Sequence, residues 1–195
     1  MAKSFDIITP STVALFTTAE AKAHLKVDST ADDTLIDNLI EAARESAEVF
    51  TNRFFINTLI SQHGDTFADL EYLFKSPVNV DDTAAIIRYY DSDNATQTLD
   101  TSVYLVDQVS QPGRVTLDVD QSFPTIANRT NAVSCRYTVG YGAAASDVPQ
   151  GIKQAVLLTI GNWYENRQDV VVGRIATELP KSAQYLLEQY KVQTV

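Results

Sequence analysis

Residues 17–50 read TTAEAKAHLKVDSTADDTLIDNLIEAARESAEVF. Thr17 followed by Glu20 is a capping-box pattern, in which each side chain satisfies a backbone amide of the other, and it predicts a short helix that ends near Leu25. A second helix of about five turns is predicted to follow, because apolar residues recur at spacings of three, four and seven. The residues of this apolar stripe are Leu35, Ile36, Leu39, Ile40, Ala43, Ala47 and Phe50.

The chain is strongly acidic. Its 195 residues include 15 Lys or Arg and 25 Asp or Glu, which gives a formal net charge of -10 at neutral pH. Nucleic-acid backbones and anionic membranes are bound through clustered Lys and Arg, so this balance disfavours both as partners. Residues 17–50 carry three basic and eight acidic side chains, a net charge of -5, whereas residues 147–195 carry five of each. The acids predicted on the solvated face of the second helix are Asp33, Asp37, Glu41, Glu45 and Glu48.

The middle of the chain, residues 58–142, has a different hydrophobic period. Short β-rich runs alternate with turn signals such as Gln111-Pro112-Gly113, a spacing typical of antiparallel hairpins. The clearest strand is 133–139, where apolar and polar residues alternate, so Cys135 is predicted to face a core. Gly140-Tyr141-Gly142 lacks the lysine and following helix of a phosphate loop, and it predicts a turn that needs positive φ.

Helical periodicity returns after the cap and proline of residues 146–149 and continues to about Asn166. A break with three consecutive valines follows, and a last helix is predicted to begin near Leu179-Pro180. The predicted fold is therefore α+β. An α-helical bundle body, residues 17–57 and 147–191, carries an antiparallel β insertion, residues 58–142, within a single domain of residues 1–195.

Side chains for catalysis or metal binding are sparse. A zinc site needs three or four converging ligands, and the imidazole and thiol side chains of the sequence are limited to His24, His63 and Cys135. The sequence 91–93 resembles the start of a calcium loop, but residues 95, 96 and 102 lack the required groups, which predicts a turn. We expect no catalytic, cofactor or metal site. A single cysteine also excludes an internal disulfide and favours a reducing compartment, and no apolar run is long enough for a membrane span.

Apolar side chains next to helix breaks are candidates for contact with partners or with other copies of the chain. Packing within the same chain is an equally good interpretation for Trp163. The candidates are Trp163, Tyr164, Val170, Val171, Val172, Tyr190 and Val192.

The chain resembles the head-tail connector, or head-completion adaptor, proteins of long-tailed phages. The likeness spans nearly the whole chain in the order expected of the family. It is carried by TTAEAKAHLKVD at 17–28, DDTLI at 32–36, AAR at 42–44, TNR at 51–53, YYD at 89–91, YTVGYG at 137–142, VPQGIKQA at 148–155, WYENR at 163–167, VVG at 171–173 and LP at 179–180.

The resemblance implies a structural virion protein, made in the cytoplasm of the bacterial host, with no enzymatic activity and no cofactor. It implies a homo-oligomeric ring, usually dodecameric, beneath the portal protein, which docks tail-side proteins and lets DNA pass without specific binding. Carboxylates lining the channel would keep the duplex from adhering. The acids we expect there are Asp32, Asp33, Asp37 and Glu41.

Two alternatives belong to other functional classes. One is a small cytoplasmic hydrolase that depends on a divalent metal held by an acidic cluster around Asp32 and Asp33. It predicts that magnesium or manganese raises the melting temperature. The other is a generic adaptor module, which would bind one protein partner without forming a ring.

Overall fold

The computed structural model describes residues 4–79, 85–166, 170–171, 174–175 and 179–192. In these ranges the chain forms four α-helices, which are α1 (Thr18–Leu25), α2 (Asp33–Thr51), α3 (Gln150–Glu165) and α4 (Lys181–Glu188). The strands of the same ranges are β1 (Ser4–Thr9), β2 (Thr58–Gly64), β3 (Val78–Asn79), β4 (Ile86–Tyr90), β5 (Thr96–Thr98), β6 (Tyr104–Asp107), β7 (Arg114–Leu117), β8 (Val133–Val139), β9 (Val170–Val171) and β10 (Arg174–Ile175). This content confirms the predicted α+β class.

The described residues group into two compact units. We call the described residues of 12–52 and 143–191 the helical unit, and the described residues of 1–11, 53–142 and 192–195 the β unit. In the helical unit, α2 and α3 pack against each other, and each also contacts α1 and α4. Its buried apolar side chains include Ile36, Ile40, Ala43, Ala47, Ile152, Ala155, Val156, Ile160, Ala183 and Leu187. Among the helices described, none combines the length and apolar character that a membrane crossing requires.

Local features of the backbone and side chains define the start of α1 and the end of α2. Thr17 Oγ1 accepts from the Glu20 amide at 3.2 Å, and the Thr17 amide donates to Glu20 Oε2 at 2.8 Å, which confirms the capping box. Helix α2 ends at Thr51, in agreement with the predicted length of about five turns, because Asn52 adopts the left-handed conformation with φ 55° and its amide bonds back to the carbonyls of Glu48 and Val49. Residues 53–57, which the predicted helical body also included, lie outside α2.

The main sheet is antiparallel, with strand order β1-β2-β8-β4-β5, and β3 also pairs with β8. Strand β8 is central, since β2 lies on one side of it and β4 on the other. Strands β6 and β7 form a separate hairpin. Strands β9 and β10 form a second two-stranded ribbon.

Strand β1 is absent from the sequence-based prediction, which began the β region at residue 58. It pairs with β2, with Ser4 opposite His63 and Ile7 opposite Ile60. Its residues are mostly exposed, so its hydrophobic pattern is not that of a half-buried strand. It becomes a strand by pairing with residues fifty or more positions away, which local periodicity does not report.

The core of the β unit lies on one face of the sheet. Val133, Cys135 and Tyr137 of β8 are buried, whereas Ser134 and Arg136 between them are half-buried, which confirms the predicted alternation. Gly140 follows β8 with φ 139°, and an added Cβ would lie 2.6 Å from the Asn57 nitrogen. Both the backbone conformation and the close approach therefore require glycine, as the turn prediction expected.

A buried glutamine fastens the segment after β2 to this core. Gln62 has no exposed surface. Its Nε2 donates to the carbonyls of Asp69 at 3.2 Å and Tyr72 at 2.9 Å. Its Oε1 accepts from the Phe74 amide and from Tyr137 Oη, each at 3.0 Å. One side chain thus satisfies three backbone groups and a buried hydroxyl.

Candidate interaction surfaces

Asp32 and Asp33, at the start of α2, each have a partner in the helical unit. Tyr164 Oη of α3 donates to Asp32 Oδ2 at 2.7 Å, and Lys22 Nζ of α1 lies 2.6 Å from Asp33 Oδ1. Both carboxylates are half-buried. Asp32 precedes the first residue of α2, and its side chain makes no cap hydrogen bond to the helix. The pair therefore joins α2 to α3 and α1, and its predicted channel role stays a prediction.

Further along α2, Asp37, Glu41, Glu45 and Val49 follow one another at every fourth residue, so they form one row along the helix. All four are exposed, Val49 to 78%. Asp37 accepts from Thr18 Oγ1 at 2.6 Å, and Glu41 pairs with Arg44. Glu45 makes no hydrogen bond or ion pair with a residue that the structure describes. We call this set the α2 row.

Glu48 differs from the prediction that placed it on the solvated face. It is only 6% exposed, and Arg44 Nη1 lies 3.3 Å from its Oε1. Burial alone would lower the pKa of Arg44, but the carboxylates of Glu41 and Glu48 outweigh it and raise the pKa above its usual value. The guanidinium is therefore always charged, and Glu48 is retained in the interior as its counter-ion.

The aromatic candidates at the end of α3 are partly occupied within the helical unit. Trp163 and Tyr164 are both half-buried, and Tyr164 bonds to Asp32. The indole Nε1 of Trp163 is buried and has no hydrogen-bond partner among the described residues. Their contact with other proteins stays a prediction.

The C-terminal candidates have different surroundings. Tyr190 is half-buried and lies against α3, because a Cβ added at Gly151 would come within 2.7 Å of its Oη. Val192 is only 6% exposed. Val170 and Val171 form β9 of the ribbon instead of the expected loop. Val172 lies outside the described residues.

The second face of the main sheet carries arginines that the sequence analysis did not single out. Arg88 lies opposite Ser134, and Ile86 lies opposite Arg136, so the two arginines are diagonal neighbours on one face. Arg88 is exposed and Arg136 half-buried. Neither makes a hydrogen bond or ion pair with a described residue. The alternation in β8 had indicated which face Arg136 occupies, but its neighbour on β4 depends on strand register.

Tyr90 and Arg129 extend this basic surface. Tyr90 shares the face of Arg88, being two residues further along β4. Arg129 is exposed and stacks on the Tyr90 ring, with Cζ 3.9 Å from the centroid. Its Nη1 also donates to Asn94 Oδ1 at 2.9 Å, which fixes the side chain. We call Arg88, Arg136 and Arg129 the arginine strip.

The side chains considered for metal or nucleophilic chemistry lie on different elements, which are α1 for His24, β2 for His63 and β8 for Cys135. In the described part of the chain, no group of three or more His, Cys, Asp or Glu is placed to hold a metal ion. His24 is exposed on α1, and His63 lies on β2 in the β unit. Burial raises the pKa of the Cys135 thiol to about 12, so at neutral pH it is protonated and unreactive. Asp91 accepts from the amides of Asp93 and Ala95, which confirms the predicted turn.

Comparison with known families gives a match over most of the chain. A family model described as "Head completion protein" matches residues 14–192. No curated protein gives a significant match.

Several solved structures share the fold. A chain from the neck of an empty gene transfer agent particle, computed with C6 symmetry, has a TM-score of 0.78 at 20% identity, covering 98% of this chain and 97% of that one. A chain from the virion of the native gene transfer agent particle has a TM-score of 0.75 at 20% identity, over 98% and 96%. A chain from the neck of the native particle, computed with C12 symmetry, has a TM-score of 0.73 at 20% identity, over 98% and 97%.

Proposed function

The chain belongs to the head completion protein family and is a structural protein of the head-tail connector; on this premise we propose that it is one subunit of a ring in the neck of a phage-like virion. In this proposal the ring lies beneath the portal protein and offers a docking surface to tail-side proteins. DNA passes through its channel without being bound specifically.

The observation that carries the proposal is the extent of the fold match. The likeness to a chain of the particle neck covers 98% of this chain with a TM-score of 0.78. Both the helical unit and the β unit are included in a match of that coverage. Because a neck of this kind was computed with C12 symmetry, twelve copies is the ring size that we propose.

Within the subunit, we assign the helical unit to the bundle body of a single connector domain that spans residues 1–195. Contacts of α2 and α3 with each other and with α1 and α4 support this assignment. Among the candidate partner contacts, Val170 and Val171 are the best supported. They form β9, and β9 pairs with β10 and not with the main sheet. Tyr164 is a weaker candidate, since its hydroxyl bonds to Asp32 within the chain.

The charge of the chain suits a protein that lies close to DNA without holding it. A net charge of -10 repels the phosphate backbone, and the repulsion acts over about 10 Å at ordinary ionic strength. Of the four acids expected to line the channel, Asp37 and Glu41 have exposed side chains. These two are therefore the members of that set best suited to act on passing DNA.

We infer that the role is structural and not enzymatic, on the ground of family membership. The hydrolase alternative required Asp32 and Asp33 to share a metal ion. Their carboxylates instead bond to Tyr164 and Lys22, which belong to different helices. No observation favours the hydrolase over the connector.

Negative-stain microscopy of the purified protein, alone and with its cognate portal, tests the proposal. We expect rings with a central channel, either in solution or on the portal. A chain that stays monomeric at all concentrations and does not bind the portal would contradict it. A defined complex with one host protein, without any ring, would favour the generic adaptor instead.

A further inference from the structure

The arginine strip is a basic surface on an otherwise acidic chain. Arg88 and Arg136 have no ion-pair partner among the described residues, although acids exceed basic residues by ten overall. Asp6, an acid on the same face, lies two strands from Arg136 and 3.1 Å from His63 Nε2. Guanidinium groups on a fixed sheet face that have no carboxylate partner in the described part of the chain favour an acidic partner surface.

The α2 row has the complementary pattern. In chain order it presents three acids, Asp37, Glu41 and Glu45, and then a valine, Val49; the last three members, Glu41, Glu45 and Val49, are the ones that matter here. Its steps of four residues correspond to about 6 Å along a helix. On the sheet, one face of β4 presents a residue at every second position, or about every 6.8 Å. These residues are Ile86, Arg88 and Tyr90, and Arg129 stacks on the Tyr90 ring. The two rows therefore have nearly the same spacing.

Alignment of the rows in opposite directions places an apolar residue against an apolar residue and each acid against an arginine. Val49, which is 78% exposed, meets the half-buried Ile86. Glu45 meets Arg88, with Arg136 diagonally beside it, and Glu41 meets Arg129. Each side then supplies one apolar side chain and charges of a single sign.

We propose that the arginine strip of one subunit docks on the α2 row of a second copy of this chain. The proposal rests on the ring described above and names one of its subunit contacts. The two surfaces differ and belong to different units, so the contact is head-to-tail, and repetition of such a contact closes into a ring when the rotation permits. Exposed ion pairs contribute little energy individually, so the charges mainly fix register and orientation.

Duplex DNA is a less suitable occupant for the strip. Three arginines would have to hold a polyanion to a chain whose net charge is -10. The assignment also gives Glu41 a subunit contact in place of a channel position. Glu41→Lys separates the two roles, because reversal of an acid that only lines the channel would leave self-association unchanged, whereas reversal of a contact acid would weaken it.

Complementary charge reversals test the contact. Arg88→Glu and Glu45→Lys change exposed residues that make no hydrogen bond or ion pair with a described residue, although the charge of Glu45 also helps to raise the pKa of Arg44. Circular dichroism checks that both variants fold. Each variant alone places like charges at every contact, and we expect its self-association constant, measured by sedimentation velocity, to fall about tenfold. In an equimolar mixture every contact between unlike variants pairs opposite charges, so association should return.

Matched controls are Lys181→Glu and Glu188→Lys, which make the same charge changes on α4 and should leave association as in the wild type. Rising salt should weaken wild-type association. If both reversal variants associate as strongly as the wild type, or if mixing them does not restore association, the proposed contact is wrong and the connector role stands. A wild-type chain that forms no ring alone or on the portal overturns both. Loss of duplex binding by Arg88→Glu with unchanged self-association would reassign the strip to DNA.

Discussion

Replacement of Gln62 by leucine tests whether one buried side chain holds the segment after β2 on the sheet. The substitution keeps a side chain of similar size but removes four hydrogen bonds, two to carbonyls, one from the Phe74 amide and one from Tyr137 Oη. An unsatisfied buried polar group costs about 1–3 kcal/mol. Asp69, Tyr72 and Phe74 are only half-buried, so the lower value applies.

Four groups at about 1 kcal/mol each give a cost of about 4 kcal/mol. Burial of the more apolar leucine returns about 1–2 kcal/mol, which leaves a net loss of about 2–3 kcal/mol. For a chain of this length, about 1 kcal/mol shifts the melting temperature by about 2–4 °C, so we expect a fall of about 4–12 °C. Tyr137→Phe, which loses one of these bonds, should cost about 1 kcal/mol.

Urea unfolding followed by far-UV circular dichroism measures these differences. Gln97→Leu is the matched control, because Gln97 is an exposed residue of β5 with one side-chain hydrogen bond, to Asp91. We expect it to change the free energy of unfolding by no more than about 0.5 kcal/mol. Equal effects of Gln62→Leu and Gln97→Leu would refute the view that the buried network stabilises the β unit.

Three further outcomes follow from the structure. Gly161→Ala in α3 should raise the free energy of unfolding by about 1 kcal/mol, because the added Cβ meets no atom closer than 3.5 Å. Gly151→Ala should not give this gain, because its Cβ would lie 2.7 Å from Tyr190 Oη and force the ring to move. Melting curves of the two variants measure the difference. Cys135 should resist thiol reagents at pH 8 in the folded chain, since its pKa is about 12, and react once urea unfolds it; rapid labelling of the native protein would contradict this. Magnesium or manganese should leave the melting temperatures of the wild type and Asp32→Asn unchanged, and a rise in the wild type that Asp32→Asn abolishes would revive the hydrolase.

The helices could be predicted from the sequence because their determinants are local. Thr17 and Glu20 are three residues apart, and the apolar stripe of α2 repeats within one or two turns. The length of α2 agrees with the prediction of about five turns, because the apolar stripe reaches Phe50 and the helix ends at Thr51. The burial of Glu48 was not predicted, because it depends on the pairing with Arg44 inside the packed unit.

Candidate surfaces were harder to predict than helices. The aromatic residues near the helix ends were selected because they are apolar, but Tyr164 bonds to Asp32, which is 132 positions away in the chain. The acids of α2 were identified as a group, and the structure separates those paired within the unit from Glu45, whose carboxylate makes no bond to a described residue. A side chain's type indicates what it can bind, and only its neighbours determine whether that capacity is already used.

By itself the sequence determined the acidic charge of the chain, the positions of the helices, the alternation of β8 and the resemblance to connector proteins. These depend on composition or on residues within a few positions of one another. The tertiary structure alone decided that β1 joins β2, that Gln62 satisfies groups between residues 69 and 137, and that Arg88 lies diagonal to Arg136. Each of these depends on strand register, which is set by packing of the whole sheet and not by any local pattern.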